Sequence, residues 1–261
     1  MNVEKLFAVS APGLAPFTMQ ELSALGLLDS SVAATQQDQM GSRLRIANEP
    51  WQKMDESSRL PQNEYDGGVE LEGGIEAIYR SNLYLRTASR ILVRLGDFYA
   101  AAFSELRKKA SRLEWERFLK PGQMLLVRAT CHKSRLYHSD AVAERIAGAA
   151  GDRLGQAPVL VKPEGQQHED KQMPVQLVNV RLVHDHCTIS IDSSGDLLHR
   201  RGYRLATVKA PLRETLAAGM LLASGWDGAS PLLDPFCGSG TIPIEAALIA
   251  LGMAAGRKRR F

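Results

Sequence analysis

Leu232-Leu233-Asp234-Pro235-Phe236-Cys237-Gly238-Ser239-Gly240-Thr241 is followed by Ile242-Pro243-Ile244-Glu245-Ala246-Ala247-Leu248. An apolar run ending in Asp, a loop of small residues, then Ile244, Ala247, Leu248 and Leu251 at helical spacing read as strand, glycine loop and helix. A doubly wound α/β sheet presents nucleotide-like ligands at such a point, where a strand ends and a helix begins. Gly238 and Gly240 let the backbone pass close to a ligand, and Thr241 is placed to cap the helix. A phosphate-binding P-loop needs Gly-Lys-Ser/Thr, and no Lys follows Gly240. A dinucleotide fingerprint needs glycine three residues past Gly240, where Pro243 stands. Taken alone, the loop leaves an adenosine-bearing ligand of another kind.

Upstream, His199 to Arg213 holds Arg200, Arg201, Arg204, Lys209 and Arg213 with no acidic residue, and a helix is expected from Pro211 through Leu222. Ser193-Ser194-Gly195 marks a boundary before it. The preceding stretch predicts a hairpin, Val175–Val183 and Cys187–Asp192, around His184-Asp185-His186. Further back, Met124–Thr130 reads as a strand that runs into the basic, aromatic loop Cys131-His132-Lys133-Ser134-Arg135-Leu136-Tyr137-His138. Ser139 is the expected N-cap of the next helix, with Asp140 in its first turn. Phe103, Leu106, Ala110 and Leu113 share one helical face, and Arg107, Lys108, Lys109 and Arg112 lie on the outer side. At the front, Leu6–Val9 predicts a strand, Leu14–Leu25 a helix, Val69–Glu72 a strand, Ile75–Leu83 a helix and Ser89–Leu95 a strand. That order fits a small α+β sandwich. Residues 36–66 turn polar and read as a loop or insertion, within which Arg43–Ile46 alternates enough for a short strand. Residues 163–174 form another polar loop.

Net charge is +3, unevenly spread: residues 1–79 hold 5 Lys/Arg against 12 Asp/Glu, and residues 80–135 hold 13 against 4. A basic middle beside an acidic front is what a polyanion-binding surface looks like along a sequence. Solvated helix faces give the same pattern, so charge alone leaves both open. Lys133 and Arg135, interleaved with Tyr137 beside a helix N-terminus, offer both phosphate capture and base stacking.

The octapeptide Asp234–Thr241 with Ile244-Glu245-Ala246-Ala247 resembles the first cofactor motif of the amino-group methyltransferases that act on nucleic acid. Ser190 to Arg204, ending His199-Arg200-Arg201-Gly202-Tyr203-Arg204, and Ala210-Pro211-Leu212-Arg213-Glu214-Thr215-Leu216-Ala217 are similar to the THUMP-domain guanine-N2 RNA methyltransferases. Gly68–Leu95 and Lys133–Arg145 share the likeness, and it lies nearest to the members acting on bacterial large-subunit ribosomal RNA.

The resemblance implies an α+β ferredoxin-like region (1–73, with the insertion near 36–66) and a THUMP module that grips RNA (74–192). A linker and the start of an α/β Rossmann-like methyltransferase domain (193–261) would follow. It implies S-adenosylmethionine as cofactor, held by Pro211, Glu214, Thr215, Asp234, Pro235, Phe236, Gly238, Ser239, Gly240 and Thr241. RNA, 23S rRNA in particular, would meet Arg107, Lys108, Lys109, Arg112, Lys133, Arg135, Arg201 and Arg204. The family's later Asn/Asp-Pro-Pro-Tyr/Phe motif, which holds the target amine, does not occur, since Asp234-Pro235 is the one Asp-Pro. The chain therefore reads as a truncation that does not complete methyl transfer alone, and its catalytic residues are unassigned. A non-catalytic THUMP-type RNA-binding protein and a transfer-RNA methyltransferase of the same superfamily are the alternatives.

Cys131, Cys187 and Cys237 have no metal-ligand spacing, so reduced thiols and no metal are expected. Cys237 reads as loop packing more readily than as a nucleophile, having no activating neighbour. No segment reaches membrane-spanning length, and a soluble, cytoplasmic protein is expected. Nothing in the sequence fixes an oligomeric state.

Overall fold

The computed structural model describes residues 3–28, 67–161, 175–204 and 211–261. The possible strand at Arg43–Ile46, most of the polar 36–66 stretch and the 163–174 loop lie outside the described residues, as does Lys209. The chain divides into two units, one from residues 1–91 and 196–261, the other from 92–195.

In the first unit, β1 (Glu4–Ser10) pairs antiparallel with β2 (Gly68–Gly73), Leu6 opposite Leu71 and Ala8 opposite Val69. These four side chains are buried, as the alternation of both strands demands. β1 lies between β2 and the start of β3 (Ala88–Tyr99). Helix α1 (Ala15–Ala24) carries Pro16 in its first turn, where a missing N–H costs nothing. Helix α2 (Ile75–Tyr84) follows β2. A buried polar chain ties α1 to the approach to β3. Ser10 and Thr18 hydroxyls lie 2.7 Å apart, Thr18 and Thr87 2.8 Å apart, and Thr87 Oγ1 donates to Glu21 Oε2 at 2.6 Å. The backbone N–H groups of Arg86 and Thr87 also donate to the Glu21 carboxylate. Burial raises the Glu21 pKa, and these hydrogen bonds oppose the rise.

The second unit holds the remainder of β3, then α3 (Phe103–Ala110), β4 (Met124–His132), α4 (Ser139–Leu154), the short β5 (Val159–Leu160), β6 (Gln176–Val183) and β7 (His186–Asp192). Its strand order is β3-β7-β6-β4-β5, with β4 parallel to β5 and β6 and the other pairs antiparallel. The hairpin expected around residues 184–186 is present. β3 runs four residues beyond the expected Leu95 and slips register between Arg94 and Gly96. A Cβ on Gly96 would sit 2.6 Å from Leu113 Cδ2, so glycine lets that leucine close over the bulge. Leu106, Trp115, Leu125, Ile146, Leu182 and Ile189 are fully buried in one core, with α3 and α4 packed on each other and α4 on β4. Trp115 Nε1 donates to the Ala110 carbonyl at 2.8 Å, so the indole is buried without an unpaired N–H. Ser139 is the first helical residue of α4, and His138 takes the cap position with no side-chain bond. Extended backbone at His138, whose ring lies 4.1 Å from that of Tyr137, moves the cap one residue earlier than expected.

Candidate cofactor site and nucleic-acid interface

In the first unit, α5 (Glu214–Ala223) and α6 (Thr241–Ala250) pack against each other. The loop between Asp234 and Thr241 turns sharply into α6. Asp234 Oδ1 accepts the Phe236 N–H at 3.0 Å, and the Gly240 N–H donates to the Cys237 carbonyl at 2.7 Å. Gly238 (φ +53°) and Gly240 (φ +75°) occupy left-handed backbone, which other residues enter only with strain. Nothing crowds either glycine: a Cβ there would come no nearer than 3.9 Å and 3.7 Å to its surroundings. The loop backbone is therefore free to meet a ligand.

Four local expectations are corrected. Leu232-Leu233-Asp234 is not a strand. No other strand lies beside it among the described residues, and a parallel strand exists only within a ladder. Thr241 does not cap α6. Gly240 holds the cap position, and Thr241, buried as the first helical residue, accepts a hydrogen bond from Arg204 Nη2 at 3.1 Å. The packed face of α6 is Thr241, Glu245 and Ala246, while Ile244 and Leu251 of the expected apolar stripe are exposed. Leu233 is 88% and Phe236 92% exposed, and Cys237 is exposed as well, so it does not pack the loop.

Arg204 also donates through Nε to Glu214 Oε1 at 2.6 Å and through Nη2 to the Leu212 carbonyl. Glu214 and Thr215, at the start of α5, are both buried. Pro211, Leu212 and Glu214 border a cleft of about 520 Å³ together with His199 to Gly202. Burial pushes the His199 pKa down, opposed by Glu214. Arg201, which also contributes to the cleft lining but is 2% exposed, lies 3.5 Å from the fully buried Glu245 and donates to the carbonyls of Leu198 and Arg86. Tyr203 Oη donates to the same Glu245 oxygen at 3.2 Å, and Arg86 Nη1 lies 3.9 Å from the other. Burial raises the Glu245 pKa, and Arg201 and Arg86 oppose the rise.

The basic candidates fall into buried, paired and exposed groups. Arg201 is not an RNA-facing side chain: it is sealed inside the first unit by its pair with Glu245. Arg204 is turned inward onto Glu214 and Thr241 in the same way. On α3, Arg107 makes a bidentate pair with Asp152 at 2.7 Å, and Lys109 meets Glu105 and the Tyr99 carbonyl. Lys108 and Arg112 are exposed. The loop after β4 is held by Asp185, which sits in left-handed backbone (φ +64°) with 9% exposure. Its Oδ1 accepts the Arg135 N–H at 2.6 Å, its Oδ2 accepts the Tyr99 hydroxyl at 3.3 Å, and its own N–H donates to Ser134 Oγ at 3.0 Å. The Arg135 guanidinium lies 3.6 Å from Asp185 and stays 73% exposed. Lys133 (φ +45°) and Tyr137 project beside it, both exposed. A turn tied down by Asp185 thus carries two cations and an exposed aromatic ring, the chemistry that single-stranded RNA recognition uses.

Comparison with known proteins agrees with this division. Residues 61–92 match the RlmL ferredoxin-like domain, residues 100–192 the THUMP domain, and residues 201–261 the RMKL-like methyltransferase domain. The chain carries THUMP and RlmL-like methyltransferase domains. It is 33% identical over 261 residues to the ribosomal RNA large subunit methyltransferase K/L of Syntrophotalea carbinolica, covering 98% of this chain and 31% of that one. The enzyme of the same name from Aliivibrio salmonicida is 40% identical over 192 residues, 74% of this chain and 26% of the relative. Among solved structures, a protein of Listeria monocytogenes described as a "predicted N6-adenine-specific DNA methylase" superposes with TM-score 0.76 at 33% identity, covering all of this chain and 59% of that one. SMU.472, solved in complex with SAH, gives 0.77 at 28% identity, again covering 100% and 59%. The chain spans between a quarter and a half of the length of these curated relatives.

The ferredoxin-like region, THUMP domain and methyltransferase domain follow one another along the chain, as the resemblance implies. Glu245, Arg86, Tyr203 and Asp185 are site-organising residues that sequence reasoning passed over. Glu245 did leave a signal: it is the single charge in the otherwise apolar helix Thr241–Ala250. Such a residue asks for a buried partner. No cluster of three or more His, Cys, Asp or Glu able to hold a metal occurs among the described residues. None of the described helices is long and apolar enough to cross a membrane.

Proposed function

We propose that this chain supplies the RNA-gripping front and the first cofactor loop of an S-adenosylmethionine-dependent methyltransferase acting on guanine N2 of 23S ribosomal RNA, working in the cytoplasm. The observation that carries the reading is the Asp234–Thr241 turn. Its two left-handed glycines leave an open backbone at the amino end of α6, on the same chain as a THUMP domain. The residues present fit the cofactor. Pro211, Glu214, Thr215, Asp234, Pro235, Phe236, Gly238, Ser239, Gly240 and Thr241 would hold it, with Glu214 and Thr215 toward its methionine end. Glu214 supplies a buried carboxylate for an ammonium, and the α6 N-terminus supplies positive potential for a carboxylate. S-adenosylmethionine brings an electrophilic methyl group on a sulfonium. The chain's own residues bind and orient it, and on the other unit Lys133, Arg135 and Tyr137 engage RNA, with Lys108 and Arg112 as further phosphate contacts.

The name of the Syntrophotalea relative supports ribosomal RNA as substrate, and SAH in SMU.472 supports the cofactor. The exposed Leu233, Phe236 and Leu251 are what the opening of a larger α/β domain would present. The test is transfer of labelled methyl from S-adenosylmethionine by the full-length protein to a 23S rRNA transcript, followed by nucleoside mass spectrometry. N2-methylguanosine is expected. N6-methyladenosine would replace the acceptor assignment, and no RNA-borne label would overturn the reading.

A further inference from the structure

Sequence places Arg204 in a basic run suited to RNA, yet its guanidinium faces the other way. Nε donates to Glu214 Oε1 at 2.6 Å, and Nη2 donates to Thr241 Oγ1 at 3.1 Å and to the Leu212 carbonyl. Glu214 is the first residue of α5 and Thr241 the first of α6. One planar fork therefore joins the amino ends of two helices and the turn that leads into one of them. Both carboxylate and hydroxyl are buried, Glu214 at 4% and Thr241 at 3% exposure, so neither bond is diluted by water.

We infer that Arg204 is a positioning residue of the cofactor site, fixing the Glu214 and Thr241 segments relative to each other, and that it is not an RNA contact. The inference rests on the reading that these two segments hold S-adenosylmethionine. Charge alone does not do this job. A lysine could satisfy Glu214 or Thr241 but lacks the rigid fork that reaches both.

The experiment uses the full-length protein, with S-adenosylhomocysteine titrated calorimetrically and a fluorescent 23S rRNA fragment titrated by anisotropy at fixed salt. Arg204→Gln should weaken S-adenosylhomocysteine binding by about tenfold or more, the loss of a charge-assisted bond pair. RNA affinity should stay within about twofold, and in turnover the KM for S-adenosylmethionine should rise by more than kcat falls. Arg204→Lys should recover little of the cofactor affinity. Should Arg204→Gln fail to fold, Thr241→Val removes one limb of the fork, and a smaller loss of cofactor affinity, again without loss of RNA affinity, is expected. A variant that loses RNA affinity and keeps cofactor affinity overturns the inference, as does full rescue by lysine. Failure of the unmodified protein to bind S-adenosylhomocysteine refutes the cofactor site itself, whereas unchanged binding by Arg204→Gln refutes only the role of Arg204.

Discussion

Two basic stretches look alike in sequence and end in opposite environments. In the THUMP unit Arg135 keeps 73% of its side chain in solvent while Asp185 steadies the loop beneath it. In the other unit Arg201 keeps 1%, held against Glu245 from 44 residues downstream. The difference lies in where the acidic partner comes from. Asp185, 50 residues from Arg135, accepts the Arg135 N–H and the Tyr99 hydroxyl from a hairpin turn and leaves the guanidinium outside; Glu245 arrives on a helix and draws its arginine in. Local charge density therefore reports on surface potential only after distant acids have been placed.

The strongest way to break this contrast is to remove Arg201. Arg201→Met strands a buried carboxylate, and the cost should be about 3–5 kcal/mol. Urea unfolding of the full-length protein, followed by circular dichroism, reads it as a fall in midpoint. The double variant Arg201→Met/Glu245→Leu should regain most of that loss, because removing both charges also removes the desolvation cost. A single variant within about 1 kcal/mol of the unmodified protein would mean that Glu245 is neutral or solvated there.

Next in size is Asp185→Ala, which tests whether the exposed loop is held or merely present. It leaves the Arg135 N–H and the Tyr99 hydroxyl without their acceptor, for about 1–3 kcal/mol of local stability. Hydrogen exchange at the Arg135 amide should quicken by about tenfold or more, and RNA affinity should fall with it. Unchanged exchange would show that the loop keeps its shape by other means.

How much of this was legible follows from the range of each signal. Alternation in Glu4–Ser10 and Gln176–Val183, and the turn chemistry at His184-Asp185-His186, are local, and those elements stand where expected. The glycine loop was legible because positive φ at Gly238 and Gly240 is a local demand. The packed face of α6 was not. Its apolar stripe suggested Ile244 and Leu251 inward, yet Glu245 turns in because Arg201, Arg86 and Tyr203 wait for it. Leu232–Asp234 reads as a strand by composition, but a parallel strand is a property of its neighbours. The inward turn of Arg201 and Arg204 likewise depends on partners 44 and 10 residues away.

A smaller effect separates free cations from tied ones. Lys133 is exposed, while Arg107 is locked to Asp152 by two bonds of 2.7 Å. Lys133→Ala should lower the slope of log affinity against log salt by about one counterion. Arg107→Ala should change it by less, since its charge is already half-neutralised by Asp152. Equal slopes for the two variants would contradict the distinction drawn from the ion pairs.

The smallest effect is electrostatic and confined to the surface. Glu116 receives two bonds from Arg153, at 3.1 Å and 2.6 Å, and this pairing holds its carboxyl down at about 2. The folded value lies below the ordinary one of 4.5. The pair's contribution to stability is therefore complete above the unfolded value and is lost as pH falls from there through about 2. Both groups are solvent-exposed, so little global stability rides on it. The sensitive readout is the carboxyl carbon chemical shift of Glu116 across an acid titration. Arg153→Gln should return that midpoint toward the usual carboxylate range. A midpoint that stays near 2 without the guanidinium would assign the shift to the backbone N–H of Glu116 itself, which also lowers it. Salt sharpens the test: raising ionic strength should lift the Glu116 midpoint, because an exposed pair is screened within a Debye length of about 8–10 Å. The same salt should leave Glu245 nearly untouched, because no solvent reaches its carboxylate.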